Sequence, residues 1–224
     1  MLKYLKVATS RRHTALERRW QLLNPGLSIA NYQQFIQWLF GFYAPLEIQL
    51  LAMPAGSVTG LNYGPRQKTP RLRQDLLILG DAETTIAALP LCEDLPPLVS
   101  GAQLWGCLYV IEGATLGGQI IIKHLRRNLG LSDNSGAPFF DGYGTETSAQ
   151  WKAFCAAVPV YGEDSAGDRE AMLLSANQTF DALSGWLFPG SVALCASPLK
   201  MPHASSSASR KACAHHTVLS SANA

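Results

Sequence analysis

Two groups of residues in this 224-residue chain could do chemistry. The first centres on His13. At about 100° per residue, Leu2, Leu5, Thr9, His13, Leu16 and Trp20 fall on one helical face, so an imidazole sits near the middle of an apolar stripe expected to face the core. A buried imidazole needs partners for both ring nitrogens. A hydrogen-bond network supplies them in an ordinary core histidine; a metal takes one of them in a ligand. The stripe leaves both readings open. Lys6 is on nearly the same face, roughly 10 Å away along the axis. That separation suits one cation and one metal ligand on a large planar dianion. It equally suits a lysine with a buried stem and a solvated head.

The second group is the segment GCLYVIEGATLGGQII. Gly106, Gly113 and Gly117 fall within about 20° of one another on a helical wheel, with Gly118 beside them. Each interior glycine costs about 1 kcal/mol against alanine, so the missing side chains must gain something. Close helix–helix packing is one gain. Close approach of the backbone to a flat ligand, with a bend at the glycine pair, is the other. Both stay open. A phosphate loop is excluded because no strand precedes the glycines and no GK[ST] follows. A membrane GxxxG pair is excluded because Glu112 and Gln119 interrupt the segment.

Other chemistry is absent. There is no HExxH, GxSxG or dinucleotide fingerprint. Glu47, Glu112, Glu163 and Asp164 lack the ExxH partnering of a di-iron bundle. Glu112 reads as a residue of a solvated face or an interhelical salt bridge, and Trp105 and Tyr109 read as core. Arg66, Lys68, Arg71 and Arg73 read as a solvated helix start, with an acidic redox partner's docking surface as the weaker alternative.

The elements that must position these residues are helices. One runs over about 2–22. A second is capped by Ser28, with a kink or early end expected at Pro45. Residues 53–67 form a loop. Thr69 caps a helix with Pro70 at its first position, and Gly80 closes it. Asp81 is the expected cap of a short helix. Ser100 and Gln103 have capping-box spacing and open a long helix to about Asn128, with Gly130 at its end. Residues 132–144 form a loop, and helices follow over about 145–158 and 164–187. The prediction is an all-α fold in one helical domain, 1–188. Residues 189–224 are rich in Ser, Ala and Pro and read as a disordered tail; His203, Cys213, His215 and His216 there could bind metal only adventitiously.

Hydrophobic residues make up 47% and charged residues 15%, a globular balance. The formal charge is +2, but Lys200, Arg210 and Lys211 lie in the tail. The rest carries 15 basic residues (18 − 3) against 16 acidic ones, which argues against nucleic acid as a partner. Five widely spaced cysteines give no disulfide framework or zinc site, and point to a reducing compartment. No signal peptide is recognisable, and polar residues or prolines break the apolar stretches before bilayer length. A cytoplasmic protein without membrane insertion is expected.

LKVATSRRHTALE (Leu5–Glu17) resembles the proximal helix of the haem (heme) oxygenase family, whose pattern is LK-x-AT-x-x-x-HT-x-x-E. YVIEGATLGGQI (Tyr109–Ile120) resembles its distal helix, and the EGATLGGQ form is most similar to the biliverdin-producing bacterial enzymes found beside phytochromes. The resemblance covers about residues 1–188. It implies a multi-helix bundle with haem sandwiched between the two helices. It implies His13 as the axial ligand of haem iron, and Lys6 as a propionate contact with Lys152 as a second basic residue near the propionates. It implies Gly113, Gly117 and Gly118 at the oxygen-binding face, where Gly113 and Gly117 steer the bound oxygen. Haem b would be substrate and cofactor, consumed with O2 and electrons from a ferredoxin or other reductase system, giving biliverdin, CO and ferrous iron. A phytochrome apoprotein is the implied recipient. Two departures stand out: Ala114 replaces an aspartate common in the family, and Ala156 replaces an arginine. They favour the alternative of a non-catalytic haem-binding or sequestration protein of the same fold. A haem-independent enzyme of the same superfamily is a further rival.

Overall fold

The computed structural model describes residues 1–53, 61–162 and 166–189, and every regular element among them is helical. The helices are α1 (Leu2–Arg19), α2 (Ile29–Ala52), α3 (Thr69–Ile78), α4 (Glu83–Ala87), α5 (Gly101–Leu129), α6 (Pro138–Asp141), α7 (Thr147–Gly162) and α8 (Ala166–Leu187). Most of the tail, from residue 190, lies outside the described residues, as do Cys195, Cys213 and the three tail histidines.

Local signals set several boundaries. Ser28 Oγ accepts from Asn31 N at 3.1 Å and opens α2. Ser100 and Gln103 form a reciprocal capping box on α5. Gly80 and Gly130 adopt positive φ, +103° and +68°, where α3 and α5 stop.

Three expected features differ. Pro45 neither ends α2 nor leaves its missing hydrogen bond open. The carbonyl it cannot reach, that of Gly41, accepts instead from Cys92 N at 2.9 Å. Gly41 has no Cβ, which admits the strand-like segment around Pro90 and the Trp186 ring. Thr69 is the first residue of α3, not its cap. Glu47 of α2 caps it, accepting from Lys68 N at 2.5 Å and Thr69 N at 2.9 Å. Asp81 does not cap α4; its carboxylate takes Gln33 and Gln37 of α2, both at 2.9 Å.

At the centre is α5, packed along α8 and flanked by α6 and α7. It carries buried Leu104, Trp105, Cys107, Leu108, Ile111, Ile122 and Leu125. By length and mean hydropathy (1.3) α5 could cross a membrane, contrary to the reading of short apolar runs, yet 61% of that window is buried inside the bundle. Such burial is what a core helix of the bundle needs. On the other side of α8 lies α1. Arg12 Nε meets Asp181 Oδ1 at 2.8 Å and the Arg19 guanidinium sits 4.0 Å over the Phe188 ring, so α1 and α8 run in the same direction.

Candidate functional site

The α1 stripe is buried at Leu5, Thr9 and Leu16, but not at His13, whose side chain is 55% exposed. The expectation of a histidine in mid-core is therefore corrected. Packing on α8 takes Leu5, Thr9 and Leu16 inward, and His13 meets α8 only by a T-shaped ring contact with Phe180, centroids 5.9 Å apart. His13 Nδ1 lies 3.3 Å from Glu17 Oε2, one turn on. Nε2 is the ring nitrogen that points away from this carboxylate. Glu17 was quoted in the motif without a role; its i,i+4 spacing from the histidine was the available signal.

The Tyr109 phenol of α5 lies beside the Thr9 hydroxyl of α1, and burial pushes it above its ordinary pKa. This contact ties the two motifs together. His13 and Gly113 each lie four residues beyond it on their own helices. Tyr109 also packs against Trp151 of α7, centroids 6.1 Å apart.

The four glycines divide between the two anticipated gains. A Cβ on Gly106 would collide with the Met172 carbonyl oxygen of α8, and one on Gly118 would come within 2.9 Å of the Phe140 carbonyl oxygen of α6. These two allow close packing. A Cβ on Gly113 would make only ordinary 3.7 Å contacts with the Trp151 ring, and one on Gly117 would meet nothing within 4 Å. The face at Gly117 is open and that at Gly113 is half-buried beside Trp151, with Ala114 and Leu116 exposed next to them. Gly118, placed at the oxygen-binding face by the motif, is buried against α6.

Lys6 and Lys152 stand exposed on α1 and α7, without an ion pair among the described residues. Ala156 is exposed one turn beyond Lys152. Neither the structure's contacts nor its ring pairs bring these lysines together with His13.

The larger surprise is Glu112, which is 1% exposed. Its carboxylate accepts from Arg66 Nη1 at 2.5 Å, Lys68 Nζ at 2.6 Å and Tyr143 OH at 2.9 Å. Arg66 and Lys68 are thus buried, not part of a solvated helix start, because two carboxylates await them: Glu112, and Glu47, which also accepts from Tyr63 OH at 2.7 Å. Burial lowers the Lys68 pKa, with Glu112 opposing the shift, and raises the Tyr143 phenol well above its ordinary range. Beside this cluster opens a cavity of about 680 Å³ lined by Leu61, Pro65, Arg71, Tyr143, Gln150 and Ala153 among others. It does not include His13 or Gly117. Sequence reasoning missed the cluster because its members come from four separate segments: α2, residues 63–68, α5 and the turn at Tyr143.

Comparison with known proteins completes the description. The family profile described as "Heme oxygenase" matches residues 1–187. A heme oxygenase of Xanthomonas campestris pv. campestris (strain 8004) is 35% identical over 130 residues, 58% of this chain and 66% of that protein, slightly less than two thirds of its length. Among solved structures, the NO- and CO-bound heme oxygenase of Neisseria meningitidis superposes with a TM-score of 0.69 at 20% identity, covering 89% of this chain and 96% of that one. Heme oxygenase from Leptospira interrogans gives 0.67 at 18% identity, covering 83% and 97%. At these identities the structural likeness speaks for the fold. The helix pair carrying His13 and the open glycines, the profile match over 187 residues and the shared fold together make this chain a member of the haem oxygenase family.

Proposed function

We propose that the chain is a haem oxygenase, binding haem between α1 and α5 and opening it to biliverdin, CO and ferrous iron in the cytoplasm. The observation that carries this reading is the joining of two unlike surfaces at the Thr9–Tyr109 contact. One bears an exposed imidazole with a carboxylate on Nδ1; the other bears backbone stripped of side chains at Gly113 and Gly117. These residues fit the group: a porphyrin iron needs one neutral nitrogen donor, and its opposite face needs room for a diatomic molecule.

Bound haem supplies the iron at which O2 is reduced, with electrons from a ferredoxin or other reductase system. The protein's part is orientation. Glu17, beside Nδ1, would orient the His13 ring and leave Nε2 to donate to the iron. Gly113 and Gly117, lacking side chains, would let the α5 backbone stand close over a planar ligand and limit the room on that face. Lys6 and Lys152 would offer cations to the ring's carboxylates, and Ala156, one turn beyond Lys152, adds no second charge there. Residues 1–188 suffice for these roles, with the tail dispensable. A phytochrome apoprotein is the recipient we favour for the product, on the EGATLGGQ form of the distal motif.

A second reading is a haem carrier. The exposed methyl of Ala114 supports it, since no carboxylate orders water beside Gly113. An optical titration with haemin, followed by ascorbate in air, tests both. A histidine-type Soret band that bleaches into a biliverdin spectrum is the expected result. A Soret band that persists under reductant makes the protein a carrier, and no band at all makes it a haem-independent member of the fold.

A further inference from the structure

We propose that Glu112 is a positioning residue: its buried contacts with Arg66, Lys68 and Tyr143 fix how the Gly113–Gly117 backbone stands over a planar ligand, and thereby select the edge of that ligand at which attack falls. The inference rests on the haem oxygenase reading given above. It starts from a mechanical problem. Gly113 and Gly117 themselves offer no side chain to hold the helix against a neighbour, and between them only Thr115 is buried. Glycine also makes a helix easier to bend. The height of such a segment must be set from outside it.

Clamps lie at both ends. At the first, Glu112, directly before Gly113, is gripped from three directions. Arg66 Nη1 and Lys68 Nζ take separate carboxylate oxygens, and Tyr143 OH lies 2.9 Å from both. Each donor is itself tied down. Arg66 Nη2 donates to Gln150 Oε1 of α7 at 2.7 Å, Lys68 Nζ also donates to the Arg66 carbonyl at 2.6 Å, and Tyr143 N donates to Thr147 Oγ1 at 3.2 Å. At the second clamp Gly118 presses on the Phe140 carbonyl, and Gln119 Nε2 donates to the Asp141 carbonyl at 2.9 Å. The two clamps are about 9 Å apart along the axis, and the open glycines lie between them.

The cluster is an expensive way to gain stability. Four buried charges, Glu47 and Glu112 against Arg66 and Lys68, cancel, yet apolar residues of similar volume commonly stabilise as well or better. What charge-assisted bonds add is fixed geometry. Geometry matters here because a displacement of about 1 Å at a reacting centre can change a rate by about 10²-fold.

The test uses the full chain with two variants. Tyr143→Phe removes one donor and leaves both ion pairs. The double variant Glu112→Gln/Lys68→Met removes one charge of each sign. Amide hydrogen exchange over residues 112–119 of the ligand-free protein is the first readout; the ratio of bilin isomers formed from haem with ascorbate in air is the second. We expect exchange at 113–117 to quicken about tenfold while that of 104–108 is unchanged, and the isomer ratio to shift about fivefold or more. A merely structural role lowers thermal stability without moving the ratio. An unchanged isomer ratio in a variant that binds haemin and turns over overturns the proposal, as does unchanged exchange at 113–117. Should the double variant not fold, Tyr143→Phe decides by the same criteria. A parent protein that forms no bilin overturns the functional reading instead; the exchange data then still decide whether Glu112 clamps the helix.

Discussion

Glu17 stands one helical turn beyond His13, with its Oε2 3.3 Å from the imidazole Nδ1. Both side chains are more than half exposed, so the pair does little for stability. On the proposed reading its value is in presenting Nε2 to the iron. Glu17→Gln should weaken haemin binding or turnover by about tenfold, the lower end for such outer partners of a ligating histidine. His13→Ala should abolish turnover and leave only loose haem association. Soret titration reads both, and unchanged biliverdin output from His13→Ala would remove the ligand assignment.

The glycines of α5 should respond in opposite directions. Gly117→Ala meets nothing within 4 Å and replaces a poor helix former by the best, so the ligand-free protein should gain up to about 1 kcal/mol. Gly106→Ala should lose about 3 kcal/mol, as its Cβ must push α8 away. Gly117→Leu should block formation of a stable oxy complex while the fold survives. Denaturant melts and oxy-complex lifetimes check the set. A Gly117→Leu protein with normal turnover would refute the distal role.

Asp75 makes stability fall as pH rises. It is fully buried, and burial pushes its carboxyl up to about 8, while the Phe139 N–H, 3.1 Å from Oδ2, pulls the other way. The native state therefore holds the proton more tightly than the unfolded chain, whose aspartate titrates near 4. Unfolding free energy should be greatest below about pH 4 as far as this group is concerned, decline between about 4 and 8, and level off above. Asp75→Asn should flatten that decline. Urea titrations from pH 5 to 9 would show it, and identical slopes in both proteins would contradict it.

Glu47→Ala should be among the most damaging substitutions outside the haem site. It leaves Tyr63 OH and the Lys68 and Thr69 N–H groups without an acceptor and Lys68 with one counter-charge fewer. A loss of at least about 3 kcal/mol is expected. Faster amide exchange at 68–72 is the accompanying signature, and normal exchange there would count against Glu47 as the cap of α3.

Helix identity was largely legible because the signals are local. Ser28, the Ser100–Gln103 box, Gly80 and Gly130 act within a few residues of themselves. Pro45 does not end α2 because the carbonyl it cannot reach is taken by Cys92, which joins α2 only when the chain has folded. The motif residues His13, Gly113 and Gly117 could be named from sequence, but the separate duties of the four glycines could not. Those depend on which of them α8 or α6 crosses. The burial of Arg66 and Lys68 was illegible for a related reason. Charge looks solvated until Glu112, distant in sequence, is seen to pair with it.

The parallel pairing of α1 with α8 joins the two ends of the domain: Arg12 meets Asp181, 169 residues away. Contacts of such separation form late and close the largest loop a domain of this length allows. A ribosome-bound chain therefore carries His13 and Glu17 long before the helix that shelters their neighbours exists. The packed face of α1 becomes whole only when α8 has emerged, so a nascent chain cut short of α8 would hold every residue of both motifs with Leu5, Thr9 and Leu16 still uncovered.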